Sequence, residues 1–151
     1  MHMQGAVPIV NYLSLDGPEP YLLSTDCSSC GASYLGSRIA CSRCSSRSFV
    51  ERPLPRKGRV GSFSIVHRAA PPVVTPFVSA LVDLSDGTTV KANIIDCPPD
   101  PEHVRLGMAT VLRTYEVGRD SEGTVAVAFG FAPDYDEAVG ASDSHATEET
   151  R

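Results

Sequence analysis

The sequence predicts a mainly β protein in which a small four-cysteine ribbon precedes a five-stranded barrel. Three observations predict this fold class. Two C-x-x-C pairs are separated by ten residues, and five short segments with strand-like composition follow them. Pro and Gly, 12 of each, favour turns and short strands over long helices. A chain of 151 residues is long enough for one average domain or two very small ones.

The cysteine pairs predict a metal site. Their members are Cys27, Cys30, Cys41 and Cys44, and this spacing is typical of a four-thiolate zinc site. Gly31 follows the first pair, where a left-handed backbone conformation is often required. We therefore predict a rubredoxin-like ribbon closed on a structural Zn²⁺ ion. Tetrahedral coordination by four thiolates leaves no position for a substrate, and the binding energy contributes to folding.

Two alternatives use the same cysteines. Two disulfides would require an oxidising compartment. Residues 1–10 show no basic region followed by a long apolar run, so we expect no signal peptide and a cytoplasmic location. Iron in a redox site is the other alternative. Such a site usually has aromatic side chains around it, whereas this chain has no Trp. We also predict no membrane partner, because no apolar run approaches the roughly 20 residues of a membrane span.

Four segments are expected along the chain. Prolines interrupt residues 1–20, which we interpret as an extended arm. Residues 21–52 hold the ribbon, with Tyr34-Leu35 and Arg38–Ala40 as the two sides of a hairpin between the cysteine pairs. Residues 53–133 hold the barrel, and 134–151 are predicted to be a disordered acidic tail.

The barrel prediction depends on five segments. The first of them alternates, with Val60, Ser62, Ser64 and Val66 expected on one side. An Asp86-Gly87 turn predicts a tight hairpin between the second and third segments. Five short strands of this kind suit a small closed barrel such as the OB-fold. The predicted strands cover 58–67, 77–84, 89–95, 109–115 and 124–131.

Several further motifs follow the cysteines along the chain, and together with them they extend over about residues 21–133. They are Gly58–Arg68, the proline loop, Ala80–Leu84, Asp86-Gly87, Ile95–Cys97, Leu106–Met108 and Phe129–Pro133. In this order the chain resembles the zinc-ribbon plus OB-fold proteins that accompany acyl-CoA enzymes. It departs from that pattern at Leu35–Arg38, where the family often has Pro-Pro-Arg, and in its proline-broken arm, where many members have a helix.

The resemblance implies a non-catalytic accessory subunit. Its partner would be a thiolase-fold enzyme, a lipid-transfer-type aldolase or a hydratase acting on acyl-CoA. The ribbon and the barrel would dock on that partner and help to shape the CoA or acyl-chain channel. The short form without a helical lead is similar to the small subunit of thiolases that cleave aromatic compounds such as benzoylsuccinyl-CoA.

The net charge of −5 hides an uneven distribution. Residues 38–68 carry eight basic side chains and one acid, whereas 134–151 carry six acids and one Arg. Three interpretations of the basic stretch remain open: a solvated or ion-paired surface, a contact for CoA phosphates, and a site for single-stranded nucleic acid. Acidic ends oppose the last of these. The candidates for CoA are Arg56, Lys57, Arg59 and Arg68.

No side chain is predicted to be catalytic, because no Ser–His–Asp or paired-carboxylate arrangement is visible. His67 is either a buried or capped histidine at a strand end or a base that would need a pocket and a partner. Cys97 is predicted to be a buried or half-buried free thiol. Tyr34 and Leu35 either present an apolar surface to a partner or pack on the barrel.

Overall fold

The computed structural model describes residues 5–135, which form two compact units. The first contains residues 5–56 and Thr114–Phe129, and the second contains Lys57–Arg113 and residues 130–135. The last two strands, β9 (Ala109–Arg119) and β10 (Val125–Pro133), contribute residues to both units. The predicted segment boundaries stay predictions. Most of the predicted acidic tail, 136–151, lies outside the described residues.

In the first unit, one strand organises the ribbon. Strand β3 (Tyr21–Cys27) pairs antiparallel with β2 (Leu13–Ser14), β4 (Ser33–Leu35) and β5 (Phe49–Pro53). Strand β1 (Ala6–Pro8) pairs parallel with the start of β10. The C-terminal half of β3 has a neighbouring strand on each side, so the backbone that leads into the first cysteine pair is fully paired.

The predicted hairpin between the cysteine pairs is half wrong. Tyr34-Leu35 lies on β4, but Arg38–Ala40 forms no strand and is exposed, with Ile39 86% exposed. Gly36 has φ +81°, a left-handed conformation that turns the chain away from the sheet after β4. The strand that pairs with the other side of β3 is instead β5, which follows the second cysteine pair.

The second unit contains β6 (Lys57–Val66), β7 (Phe77–Leu84) and β8 (Thr89–Ile94) in antiparallel order. Strand β9 pairs with β6, β10 pairs with β8, and β9 pairs with β10, so the five strands close into a barrel. This confirms the predicted fold class. Each predicted strand end lies within two residues of the observed one, except that β9 continues to Arg119.

The predicted alternation along β6 fails at a β-bulge. Val60 pairs with Val82, but Ser62 pairs with Leu81, so the register shifts by one residue at Gly61. A one-residue shift exchanges the two faces of a strand. After the bulge Phe63, rather than Ser62 or Ser64, therefore shares the inner face with Ala80. A Cβ at Gly61 would collide with the carboxylate of Asp83, which explains the glycine at the bulge.

The core of the second unit consists of the inward side chains of its strands. Apart from Thr110, the fully buried members are aliphatic with one aromatic ring, as expected for a barrel too small to enclose a ligand. They include Val60, Val78, Val82, Val90, Leu112 and Phe131.

Candidate metal centre

The first cysteine pair forms a tight turn at the end of β3. The N–H of Gly31 donates to the carbonyl of Cys27 at 3.0 Å, and the N–H of Cys27 donates to the carbonyl of Ala32 at 2.8 Å. Gly31 has φ +76°, which confirms the left-handed conformation predicted for it. The turn directs the sulfurs of Cys27 and Cys30 to the same place.

The second pair repeats this turn without a strand before it. The N–H of Ser45 donates to the carbonyl of Cys41 at 2.9 Å, and the N–H of Cys41 donates to the carbonyl of Ser46 at 2.8 Å. Ser45, with φ +65°, takes the place that Gly31 has in the first turn. Sequence reasoning missed this residue, although both Gly31 and Ser45 lie four residues after the first cysteine of their pair.

The fold brings all four cysteine sulfurs together. They lie within 4.8 Å of one another, with 3.5 Å between Cys27 Sγ and Cys44 Sγ and between Cys30 Sγ and Cys41 Sγ. A tetrahedron with Zn–S bonds of about 2.3 Å has edges of about 3.8 Å, so the cluster fits such an ion. Cys27 and Cys41 are buried, Cys30 is half-buried and Cys44 is exposed. The four cysteines could therefore hold a metal ion.

The electrostatics of the cluster favour a bound cation. The backbone N–H of Cys30 lowers the pKa of Cys27, and the hydroxyl of Tyr34 lowers the pKa of Cys41 to about 6. The backbone N–H of Ser46 favours the Cys44 thiolate, but the neighbouring sulfurs outweigh it and raise the pKa of Cys44 to about 12. Four sulfurs this close repel one another as anions, and a coordinated divalent ion removes that obstacle to ionisation.

Tyr34 lies against the second cysteine pair. Its hydroxyl is 3.3 Å from Cys41 Sγ and 2.8 Å from the Ser42 hydroxyl. The guanidinium carbon of Arg38 lies 4.3 Å from the centroid of the Tyr34 ring. The sequence predicted only an apolar role for Tyr34, because nothing in the spacing shows that a residue of β4 reaches the second pair.

Two of the four basic candidates for CoA make ion pairs within the chain. Arg56 donates from Nη1 to Glu19 Oε2 at 2.8 Å and from Nε to the carbonyl of Pro20 at 2.9 Å. Lys57 Nζ lies 3.2 Å from Oδ2 of the buried Asp134. Both side chains therefore have structural partners that a phosphate would have to compete with.

The other two basic candidates lie towards opposite ends of β6. Arg59 is exposed and donates from Nη1 to the carbonyl of Gly107 at 3.0 Å. Arg68 is exposed just beyond the end of the strand. Seven residue steps from 59 to 66, at about 3.3 Å each, place Arg59 roughly 23 Å from the end of the strand, and Arg68 lies beyond that end. The structure does not bring these two side chains to a single phosphate group.

The remaining candidates from the sequence lie outside the cysteine cluster. His67 is exposed at the end of β6. Cys97 is a half-buried free thiol, as predicted, and burial together with the charges of Asp100 and Asp96 raises its pKa. A thiol with a raised pKa is a poor nucleophile.

A groove of about 470 Å³ lies within the first unit. Its lining combines apolar side chains, including Tyr115, which is 40% exposed, with two carboxylates. The apolar members include Leu15, Pro18 and Pro20, and the acidic ones are Asp16 and Glu116. An exposed aromatic ring beside two carboxylates is unsuited to a nucleic-acid backbone, whose phosphates require cations.

Residues 5–135 contain no helix with the length and hydrophobicity that a membrane span requires.

Comparison with known proteins identifies relatives of this chain. Residues 51–113 match the family described as the C-terminal OB-fold domain of ChsH2. A DUF35 domain-containing scaffold protein of Methanocaldococcus jannaschii is 30% identical over 115 residues, which cover 74% of this chain and 81% of the relative. The benzoylsuccinyl-CoA thiolase subunit BbsA of Geobacter metallireducens is 35% identical over 99 residues, covering 64% and 67%.

A solved structure supports the same relationship. The chain is similar to a chain of the Ltp2-ChsH2(DUF35) aldolase, with a TM-score of 0.58 and 26% sequence identity. The similarity covers 75% of this chain and 84% of the other. Together with the archaeal relative, which this chain spans over most of its length, it shows that the chain belongs to the family of DUF35 domain-containing scaffold proteins.

Proposed function

We propose that this protein is a non-catalytic accessory subunit of an acyl-CoA enzyme of the thiolase or aldolase type. The observation that carries the proposal is the 35% identity to a subunit of benzoylsuccinyl-CoA thiolase. The similarity to a chain of an aldolase with a DUF35 component supports it independently. In this role the chain docks on the catalytic subunit, stabilises it and helps to form the channel for CoA or the acyl chain.

The four-cysteine cluster has a structural role in this proposal. Zn²⁺ held by Cys27, Cys30, Cys41 and Cys44 has four protein ligands and no open position, so it stabilises the ribbon rather than activating a substrate. The ribbon has few buried apolar side chains of its own, and small modules of this kind depend on their metal. A colourless protein that contains one zinc per chain would support this part, whereas a coloured protein with iron would contradict it.

The contact with CoA is the narrower part of the proposal. Arg59, Arg68 and Lys57 are exposed, but Lys57 is paired with Asp134. Arg59 and Arg68 are therefore the better candidates, and each would contact a different phosphate group or the partner's surface. Arg56 and Lys57 would act mainly through their ion pairs with Glu19 and Asp134. A cationic side chain facing a CoA phosphate contributes a charge-assisted hydrogen bond.

A role in binding single-stranded nucleic acid has less support. Base stacking requires exposed aromatic rings along a basic groove. Phe131 is fully buried, Phe63, Phe77 and Phe129 are half-buried, and the exposed Tyr115 lies beside Glu116 in the acidic groove.

Co-purification tests the proposed role. The full chain, tagged and expressed in its own organism, should retain a stoichiometric thiolase-fold or lipid-transfer-type aldolase subunit, identified by mass spectrometry. The pair should process an acyl-CoA, while the tagged chain alone should not. Isolation without an acyl-CoA enzyme, together with tight binding of an oligonucleotide that weakens steeply with salt, would overturn the proposal.

Charge reversal tests the contact with CoA in the same complex. Arg68→Glu should raise the KM for the acyl-CoA, because a repelling charge would replace an attracting one in the channel. Lys91→Glu is the matched control, since Lys91 is an exposed cation on β8 rather than in the basic stretch. Equal effects of the two variants on KM would contradict a specific contact at Arg68.

A further inference from the structure

The position of Tyr34 is set by backbone pairing rather than by the cysteines. It lies on β4 opposite Thr25 of β3, two residues before Cys27. From this place its half-buried side chain reaches the second cysteine pair, which has no strand of its own. Tyr34 therefore connects the paired sheet of the ribbon to the turn that supplies Cys41 and Cys44.

The contacts around Tyr34 favour a hydrogen bond in which its hydroxyl donates to the sulfur of Cys41. The backbone N–H of Ser42 donates to the Tyr34 oxygen at 3.2 Å, and the hydroxyls of the two residues are 2.8 Å apart. A phenol oxygen can accept from both Ser42 groups, and its single proton is then left for the sulfur at 3.3 Å. When Cys41 is a thiolate, this is the only arrangement in which the Ser42 N–H, the Ser42 hydroxyl and the Cys41 sulfur all have a hydrogen-bond partner at Tyr34.

Arg38 holds the ring in this position and adds charge of the useful sign. Its guanidinium carbon is 4.3 Å from the centroid of Tyr34, which is a cation–π distance. A divalent ion with four thiolates has a formal charge of −2, so a nearby cation is favourable. The exposed loop that carries Arg38 thereby takes part in the metal site without supplying a ligand.

The cysteines differ in how well they are protected. Cys41 is buried and accepts from Tyr34 and from the N–H of Arg43 at 3.4 Å, whereas Cys44 is exposed. Among residues 5–135, Tyr34 supplies the only side-chain hydroxyl seen in contact with a cysteine sulfur. A donor withdraws electron density from a thiolate, and this lowers its reactivity towards protons and electrophiles.

We propose that Tyr34 is a positioning residue that retains Cys41 on the metal, so that loss of the ion begins at Cys44. This inference rests on the proposed zinc centre. It gives the ribbon one protected and one vulnerable ligand within the same cysteine pair. An electrophile or a competing chelator therefore reaches the ion from the Cys44 side.

Zinc release and alkylation test this role in the full-length, zinc-loaded chain. Tyr34→Phe keeps the ring but removes the hydroxyl, and we expect about tenfold faster transfer of zinc to a chromophoric chelator. Mass spectrometry after limited treatment with iodoacetamide should find Cys44 modified first in the wild type. In Tyr34→Phe the modification of Cys41 should rise relative to that of Cys27.

Tyr21→Phe is the control, because Tyr21 is a half-buried tyrosine at the start of β3, at the opposite end of that strand from Cys27. Release from Tyr34→Phe within twofold of the wild type, with unchanged alkylation of Cys41, would overturn the inference. Arg38→Gln retains the hydroxyl and should accelerate release about threefold; it decides the matter if Tyr34→Phe does not fold. A wild-type chain without zinc would instead count against the proposed metal.

Discussion

The two cysteine pairs have the same backbone turn but different supports. Cys27 ends β3, which is paired on both sides, and the preceding Asp26 accepts from Arg52 Nε of β5 at 2.7 Å. Cys41 lies in the stretch 36–48, which contains no strand. Its sulfur contacts the hydroxyl of Tyr34, and the rest of the stretch is joined to the first turn by the bond from Ser29 Oγ to Ser46 Oγ at 3.0 Å and by the N–H of Ser28, which donates to the carbonyl of Ser48 at 3.0 Å. The first pair thus follows a strand that is paired on both sides, whereas the second is held to the rest of the ribbon by a few isolated hydrogen bonds and, in our proposal, by the metal.

This difference predicts which half of the ribbon depends on the ion. Paired backbone groups retain their hydrogen bonds when the metal is removed, because those bonds do not involve the sulfurs. The second pair would keep only its few isolated hydrogen bonds to the rest of the ribbon, and it would lose the stabilisation that the ion provides. We expect metal removal to loosen residues 41–46 before it affects residues 22–27.

The largest expected effect comes from removing a ligand. Cys41→Ser should lose stoichiometric zinc, because apparent binding energies of about 10–16 kcal/mol in small zinc modules require all four ligands. Hydrogen exchange should show lost protection at residues 41–46 and partly retained protection at 22–27. Cys97→Ser, which changes a thiol outside the cluster, should keep one zinc per chain. Equal loss of protection in both segments would contradict the comparison.

A smaller loss is expected at the first turn. Gly31→Ala should lower the free energy of unfolding of the zinc-loaded ribbon by about 1 kcal/mol, because a side chain is disfavoured at φ +76°. A Cβ at Gly31 would meet no atom within 4 Å, so the cost is conformational rather than steric. Gly118→Ala, also with open space around its Cβ, is the control in chemical denaturation and should be neutral or slightly stabilising. A neutral Gly31→Ala would show that the turn is not rigid.

The ion pair beside the first turn should contribute less. Asp26→Asn should lower the free energy of unfolding by about 0.5–1 kcal/mol, the usual range for a partly exposed pair. Desolvation opposes ionisation of Asp26, but the hydrogen bonds from Ser24 and Arg52 outweigh it and lower the pKa of Asp26 in the folded state. The stability that Asp26 contributes is therefore fully present above its ordinary pKa and is lost as the pH falls through the lowered pKa of the folded state. The deficit of Asp26→Asn should therefore be constant between pH 7 and pH 5.

Glu116→Gln is the matched control for this pair. Glu116 and Arg119 are 3.3 Å apart and both more than half exposed, so the change should cost little. A deficit at Asp26→Asn no larger than that of Glu116→Gln would show that Asp26 does not support the first turn.

The difference between local backbone geometry and contacts made across strands also explains which features could be predicted from the sequence. Spacing and alternation report backbone geometry, so the four cysteines, Gly31 and the five strands of the barrel were predictable. The bulge at Gly61 was not, because alternation assumes a constant register and the shift depends on the partner strand. Tyr34 was not predictable either, since its contact with Cys41 depends on how β4 pairs with β3.

The last expected effect is similar in size to that of Asp26→Asn but opposite in sign, and it tests whether the two turns are truly equivalent. Ser45 has φ +65° where the first turn has Gly31, and a non-glycine residue pays about 1–2 kcal/mol for that conformation. Glycine loses more chain entropy on folding, about 0.5–1 kcal/mol, so Ser45→Gly should stabilise the zinc-loaded protein by only about 0.5–1 kcal/mol. Chemical denaturation at saturating zinc measures the change. A loss of stability would mean that the Ser45 side chain supports the second pair, and the contrast between a backbone-held and a side-chain-held turn would then extend beyond Tyr34.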